Sequence, residues 1–286
     1  MVCGVKSVAD STQRHAICKT LPMKKVISRT VRSGSQALPI YRRCLLAAAI
    51  ALFGLAGLAL FIDLPVAQWL KQERSHIPGE LMRFINFSEV FAHGLGVAVL
   101  LLVALVLDPL LMLPSLRWPA RRWPSCQPST CQQSFLRMIG SAYAGGLIVD
   151  CIKLLVLRVR PRATDLALQS SVFSTFGTAA LATVTGDHSR ANLQSFPSGH
   201  AAVAAGLAAA LGWKYPRGIP LFWGLAMCAA VQRIVTSAHY PSDVAFGAAI
   251  GLCGAVVFLG GKSPVIAEEG QSARILRRKD TPRREH

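Results

Sequence analysis

Charge is nearly absent from five or six stretches of this chain, each about 15 to 24 residues long, and this limits what the chain can fold into. A helix of about 20 apolar residues matches the hydrocarbon thickness of a bilayer. Inside hydrocarbon every backbone N–H and C=O must be satisfied within the protein, and a helix does this alone. The runs fall near residues 44–62, 90–113, 135–157, 199–213, 219–238 and 243–260. The fourth is short and rich in Ala and Gly, so it counts as a span only if it begins at Ser198 and packs closely through small residues. The expected fold is all-α, a polytopic transmembrane helical bundle of six spans, with five as the alternative. Composition agrees, since only 16% of the residues are charged against about 25% in soluble domains.

The distribution of positive charge predicts the orientation. Of 31 Lys and Arg, nine fall in residues 1–43, seven in 262–286 and three in the 114–134 connection, and Arg137, Lys214 and Arg217 belong to the same side. Nine remain for the opposite side, and six of these lie in or beside three short polar segments at the ends of apolar runs. The positive-inside rule therefore puts both termini in the cytoplasm and the three segments on the outer face, toward a periplasm or lumen. The predicted organisation is a basic cytoplasmic segment 1–43, a six-helix membrane domain 44–262 and a charged cytoplasmic tail 263–286. Residues 1–43 hold no signal-peptide core, so the first span is expected to act as an uncleaved anchor, and Met23-Lys24-Lys25 reads as an alternative start. Attraction to anionic headgroups accounts for the net charge of +17. No soluble domain remains to present a basic face, so no nucleic-acid partner is expected.

The eight cysteines form no framework. Cys44, Cys151, Cys228 and Cys253 sit in or at the ends of spans, and Cys3, Cys18, Cys126 and Cys131 lie on the cytoplasmic side, so no disulfide is expected. Cys126-x4-Cys131 lacks a second ligand pair for zinc. Outer loop one, about 64–89, carries Trp69 and Phe84 and should lie along the interface. Outer loop two, 158–197, is long enough to carry function, and its apolar pattern over Leu166–Phe176 suggests a short interfacial helix.

The three polar segments are Lys153…Arg160-Pro161, Pro197-Ser198-Gly199-His200 and Arg233…His239…Asp243. Lys153 and Arg160 are seven residues apart, so they share a face if the helix continues, although Pro161 ends it at or before Arg160. The bland reading is a cluster of membrane-flanking cations that includes Arg158 and Arg162. Ser198 is a good N-cap for the fourth span, and the amides that follow it point outward at the positive end of the helix, a ready anion site. Asp243 falls in the first turn of the sixth span with His239 just outside, so the carboxylate can accept from one imidazole nitrogen and leave the other free as a nucleophile. Taken singly, each segment is equally well a helix start or a wet interface. His93 and Asp150 are further intramembrane candidates, Asp150 as a simple partner for Lys153. Asp187, His188 and Arg190 read as loop surface.

Taken together, Lys-x6-Arg-Pro, Pro-Ser-Gly-His and Arg-x5-His-x3-Asp resemble the three-part signature of the type 2 phosphatidic acid phosphatase superfamily over residues 153–243, and the layout of spans resembles its membrane branch. One position departs from the family pattern: Gln232 stands where Ser usually precedes the third-motif arginine. The resemblance implies that His239 is a nucleophile forming a phosphohistidine, that Asp243 orients it, and that His200 is the general acid and then the base for water. It also implies that Lys153, Arg160 and Arg233, with the amides of Ser198 and Gly199, hold the phosphoryl oxygens, and that neither a metal nor any other cofactor is required. The expected activity is hydrolysis of a phosphomonoester or pyrophosphate on a membrane lipid: phosphatidic acid, phosphatidylglycerophosphate, undecaprenyl pyrophosphate or the 1-phosphate of lipid A. The setting implied is a bacterial inner membrane. A lipid phosphotransferase would use the same residues. A transporter reading lacks an inverted repeat and midplane charges, and a vanadate haloperoxidase would be soluble.

Overall fold

The computed structural model describes residues 23–107, 128–186 and 189–259, so Cys3, Cys18, Cys126, Asp187, His188 and the 263–286 tail lie outside the described residues. Within them the chain is helical: α1 (Met23–Ala59), α2 (Asp63–Glu73), α3 (Gly79–Phe87), α4 (Gly94–Leu107), α5 (Pro128–Leu155), α6 (Arg190–Leu193), α7 (Gly199–Lys214), α8 (Ile219–Val235) and α9 (Pro241–Phe258). No strand occurs among the described residues, only isolated bridges such as Arg158 with Phe176.

Among the described residues four helices are long and apolar enough to cross a bilayer: Ile40–Ala59, Gln133–Leu155, Pro216–Val235 and Pro241–Phe258. A fifth crossing arises if Gly79–Phe91 and Gly94–Ala104, which meet at 69°, form one broken span. This bent pair stands where a straight span over 90–113 is expected. The remaining run, 199–213, is α7, whose 16 residues reach about 24 Å at 1.5 Å per residue, short of a hydrocarbon core of about 30 Å. Instead α7 is the central helix. Every residue from Ala201 to Lys214 is buried, against α1, α5, α8 and α9. Large apolar side chains on the other helices face outward, among them Ile50, Leu102, Leu147, Leu221 and Val257. This is the polarity that a lipid surround rewards.

Alanines and glycines on α7 let the helices approach until their backbones touch, as small residues do in membrane packing. A Cβ at Gly247 on α9 would stand 2.2 Å from the Ser198 carbonyl oxygen, and one at Gly251 would stand 2.1 Å from that of Ala202. α5 and α1 are pinned to α7 by Ser141 Oγ donating to Gly206 O at 2.9 Å and Tyr41 Oη donating to Ala209 O at 2.8 Å. These contacts fix the start of α7 against the start of α9, where two of the three polar segments lie.

The loop between α5 and α7 is tied down by its backbone. Arg158 N donates to Leu193 O (3.0 Å), Arg160 N to Asn192 O (2.9 Å), Arg162 N to Ser237 O (3.0 Å) and Ser195 N to Arg158 O (2.8 Å). The expected interfacial helix over 166–176 is not formed. Leu166 is buried with Ala67 and Tyr240, and only Val172–Thr175 makes a 3₁₀ turn. The loop's hydrogen bonds are satisfied laterally, so its apolar residues need no helical period. In the segment 64–89, Trp69 and Phe84 are exposed.

Candidate active site

The third segment is built at the corner between α8 and α9. Arg233 sits in the last turn of α8. Ser237 takes a left-handed φ of 53°, and the amides of Ala238 and His239 both fold back on Arg233 O at 3.1 Å. Pro241 then starts α9, and Asp243 at its third position accepts from Tyr240 N at 2.9 Å. The chain reversal thus places His239, 2% exposed, immediately ahead of a helix whose first carboxylate is fully buried.

His239 Nδ1 lies 2.6 Å from Ser195 O. A carbonyl only accepts, so Nδ1 carries the hydrogen and Nε2 keeps its lone pair. Asp243 Oδ2 is 3.8 Å from the same nitrogen, beyond hydrogen-bond reach. The direct Asp243–imidazole bond expected from sequence is therefore replaced by the Ser195 carbonyl, with Asp243 acting through its charge. The carboxylate is otherwise engaged, by Tyr240 N, by Ser195 Oγ at 2.5 Å and by Arg158. Burial pushes the His239 imidazole down to about 4, against the opposing pull of Asp243. It is neutral at physiological pH, the form a nucleophile needs.

Arg158, which sequence reads as a membrane-flanking cation, is as fully buried as the carboxylates Asp63 and Asp243. It is 0% exposed and donates to Asp63 Oδ2 at 2.7 Å, Ser242 Oγ at 2.9 Å, Thr175 Oγ1 at 3.1 Å and Asp243. Its guanidinium lies over the rings of Tyr240 (4.1 Å) and Phe176 (4.4 Å). Burial lowers its pKa, but Asp243 and Asp63 outweigh this and hold it above its ordinary value. Asp63, at the start of α2, also accepts from Ser242 N at 3.0 Å, and burial lifts its carboxyl despite Arg158 and Ser242.

The first two segments converge on this corner. α5 stops at Leu155, so Lys153 and Arg160 do not share a helical face. Arg160 arrives on extended backbone (φ −71°, ψ 147°). Lys153 pairs with Asp150 at 3.6 Å, and a Cβ at Gly199 would come 3.4 Å from Lys153 Nζ. Lys153 feels the charges of Arg160 and Arg233, His200 those of Arg233, His239 and Lys153, and His239 those of Arg160 and Arg233. Burial and the neighbouring Arg162 and Arg233 push Arg160 down to about 10. Ser198 caps α7, with Oγ accepting from Ala201 N at 3.4 Å. Its own amide is spent on Asp243 O at 3.0 Å, so the expected Ser198 amide is not free for an anion and Gly199 is the first that can be.

Three buried nitrogens at the centre have no hydrogen-bond partner: Arg160 Nε, Arg233 Nε and His200 Nε2. Buried donors left unmade cost about 1–3 kcal/mol each, and gathered cations repel. A tetrahedral oxyanion relieves both costs. Glu89, on the 3₁₀ turn Ser88–Phe91, accepts from Arg233 Nη1 at 2.8 Å and from Gln232 Nε2 at 3.2 Å. Exposed His93 packs its ring 5.9 Å from that of His200. Sequence reasoning missed Asp63, Glu89, Arg158, Ser195 and Ser242. The available signal was two carboxylates, Asp63 and Glu89, beside apolar runs on the same side as the three cation-bearing segments, where each can find a partner. Among the described residues no group of three or more His, Cys, Asp or Glu could hold a metal ion.

A family model described as the PAP2 superfamily matches residues 134–262, which contain all three segments. A lipid A 1-phosphatase of Rhizobium johnstonii is 34% identical over 117 residues, covering 40% of this chain and 43% of that protein. A second lipid A 1-phosphatase, of Rhizobium etli, is 31% identical over 106 residues, 37% of this chain and 40% of that protein. The match thus spans about two-fifths of these curated relatives. No solved structure matches.

Proposed function

We propose that this chain, whose residues 134–262 match the PAP2 superfamily model, is an integral membrane lipid phosphatase of that superfamily acting through a phosphohistidine on His239. The observation that carries the reading is the set of orphaned nitrogens on Arg160, Arg233 and His200, gathered beside a neutral imidazole whose hydrogen is fixed on Nδ1.

In the first step His239 Nε2 attacks phosphorus. The bond from phosphorus to the leaving oxygen breaks, and that oxygen takes a proton from His200. In the second step His200 takes a proton from water, the water oxygen attacks phosphorus and the P–N bond breaks, releasing phosphate and restoring His239. The phosphorylated imidazole gains charge, which Asp243 offsets from 3.8 Å. Lys153, Arg160 and Arg233 neutralise the oxygens, and catalysis of this kind is mostly positioning and charge stabilisation.

The names of the two relatives support the 1-phosphate of lipid A as the first substrate to test, ahead of phosphatidic acid, phosphatidylglycerophosphate and undecaprenyl pyrophosphate. The charge distribution supports cytoplasmic termini and a periplasmic site in a bacterial inner membrane. The test is phosphate release by the purified protein in detergent against these four substrates, with and without EDTA. Turnover that disappears in His239→Ala, with the variant still inserted and folded, is the expected result. Undiminished turnover in that variant rejects the mechanism.

A further inference from the structure

We infer that Glu89, held by Gln232, is a positioning residue of this reaction, anchoring Arg233 and supplying the negative charge against which His200 carries its proton. The inference rests on the phosphatase reading of the site. Glu89 lies outside the three motifs, and its side chain is 37% exposed where that of Arg233 is 10% exposed. One carboxylate oxygen, Oε1, accepts from Arg233 Nη1 at 2.8 Å and stands 3.6 Å from His200 Nε2. The other, Oε2, accepts from Gln232 Nε2 at 3.2 Å. Gln232 Oε1 accepts in turn from Arg233 Nη1 at 3.2 Å, and Asn86 Oδ1 lies 3.4 Å from the Gln232 amide nitrogen. Arg233 is therefore divided. Its Nη1 is committed to protein, while its buried Nε has no partner and is left for a phosphoryl oxygen.

His200 is otherwise ringed by basic groups: Arg233 on α8, His239 at the α8–α9 corner, Lys153 on α5, and His93 just before α4. Among the described residues Glu89 is the carboxylate within ion-pair distance of it. An imidazolium among cations is costly, and a carboxylate at 3.6 Å offsets that cost without touching the substrate. Glu89 makes and breaks no bond. It stabilises the protonated His200 that delivers its proton to the leaving oxygen. The arrangement also accounts for Gln232 where the family pattern usually has Ser. A serine hydroxyl, on a stem of one carbon, is too short to hold Glu89 and meet Arg233 Nη1 together.

The test compares Glu89→Gln and Glu89→Ala in the full chain, on the best lipid phosphate of the panel and on p-nitrophenyl phosphate, whose leaving group departs without a proton. Glu89→Gln keeps an acceptor for Arg233 and loses only the charge. It is expected to lower kcat on the lipid by about tenfold, a fraction of the hundredfold or more that general acid catalysis supplies, with KM nearly unchanged and a much smaller loss on the aryl phosphate. Glu89→Ala also releases Arg233 and should lose on both substrates. Gln232→Ala should show the Glu89→Gln pattern more weakly, and it takes that variant's place if Glu89→Gln fails to fold. Wild-type kcat in Glu89→Gln overturns the inference. So does a rise in kcat with lower KM, which would make Glu89 a gate that substrate displaces, and so do equal losses on both substrates. A wild-type protein silent on every lipid phosphate instead rejects the phosphatase reading, and the role of Glu89 falls with it.

Discussion

Arg158→Met removes one guanidinium and keeps most of the stem volume, and the structure sets a large cost for it. Arg158, Asp63 and Asp243 are all 0% exposed, and the arginine donates to both carboxylates and to Ser242 and Thr175. Without it two buried carboxylates face one vacated volume. Removing one partner of a buried ion pair costs about 3–5 kcal/mol, and here a single deletion orphans two partners, so about 4–5 kcal/mol is expected. Asp243 stays ionised, because Tyr240 N and Ser195 Oγ still donate to it at the start of α9. Asp63, whose carboxyl burial already lifts, takes up the proton. The assay is unfolding of the purified protein by SDS titration, followed by tryptophan fluorescence, for Arg158→Met, Asp63→Asn and the double variant. Asp63→Asn alone should cost about 3 kcal/mol. In the Arg158→Met background it should cost nothing or restore stability, because it deletes a charge that no longer has a partner. Full additivity of the two single costs, or an Arg158→Met protein that unfolds at the wild-type SDS fraction, would refute the account of this network.

Two further outcomes follow from the same geometry. His239 has a folded pKa near 4, below its ordinary 6.5, so the acid limb of kcat/KM, which reports loss of the neutral nucleophile, should be centred near 4, any alkaline limb belonging to the acid His200; an acid limb centred near 6.5 would show that the imidazole is not desolvated in the free protein. The sign for stability is the same, since between these two values the unfolded chain binds a proton that the folded one refuses, and the folded state weakens as acid is added. Gly247→Ala places a methyl 2.2 Å from the Ser198 carbonyl; it should cost about 3 kcal/mol, the upper end for overpacking, together with most of the activity, as α9 backs away from α7. The control is Gly224→Ala on α8, with nothing within 4 Å, which should match wild type or gain up to about 1 kcal/mol, both measured by SDS unfolding.

The groups proposed to react were legible in the sequence because the proposed chemistry fixes both residue type and local spacing. Arg233, His239 and Asp243 must share one helix–turn–helix corner, and Ser198 must cap the helix that follows it. The helix faces were less legible. Lys153 and Arg160 look like one face at a spacing of seven, yet α5 ends at Leu155 and backbone bonds to Asn192 bring Arg160 into place. Hydropathy also could not show that α7 would be the bundle's centre, because a run of Ala and Gly reads the same whether it meets lipid or other helices. Arg158 was lost for a similar reason. An arginine beside two others at a membrane boundary looks like topology, and only the fold shows that Asp63, 95 residues away, is waiting for it.

The two carboxylates that sequence missed, Asp63 and Glu89, share a location. Asp63 and Glu89 both precede the region 134–262 that the family model matches, whereas His239, His200 and the cations proposed to bind phosphate all lie inside it. That region concentrates Lys153, Arg158, Arg160, Arg162 and Arg233 around one point and offers Asp243 as its deeply buried carboxylate. Such a cluster is poised for an anion but is unstable before the anion arrives. The segment between α1 and α4 offsets the excess twice, Asp63 closing on Arg158 and Glu89 closing on Arg233 beside His200. Both carboxylates leave the orphaned nitrogens of Arg160 and Arg233 untouched. The charge is balanced without being consumed, which leaves those donors for the phosphoryl oxygens of the proposed reaction.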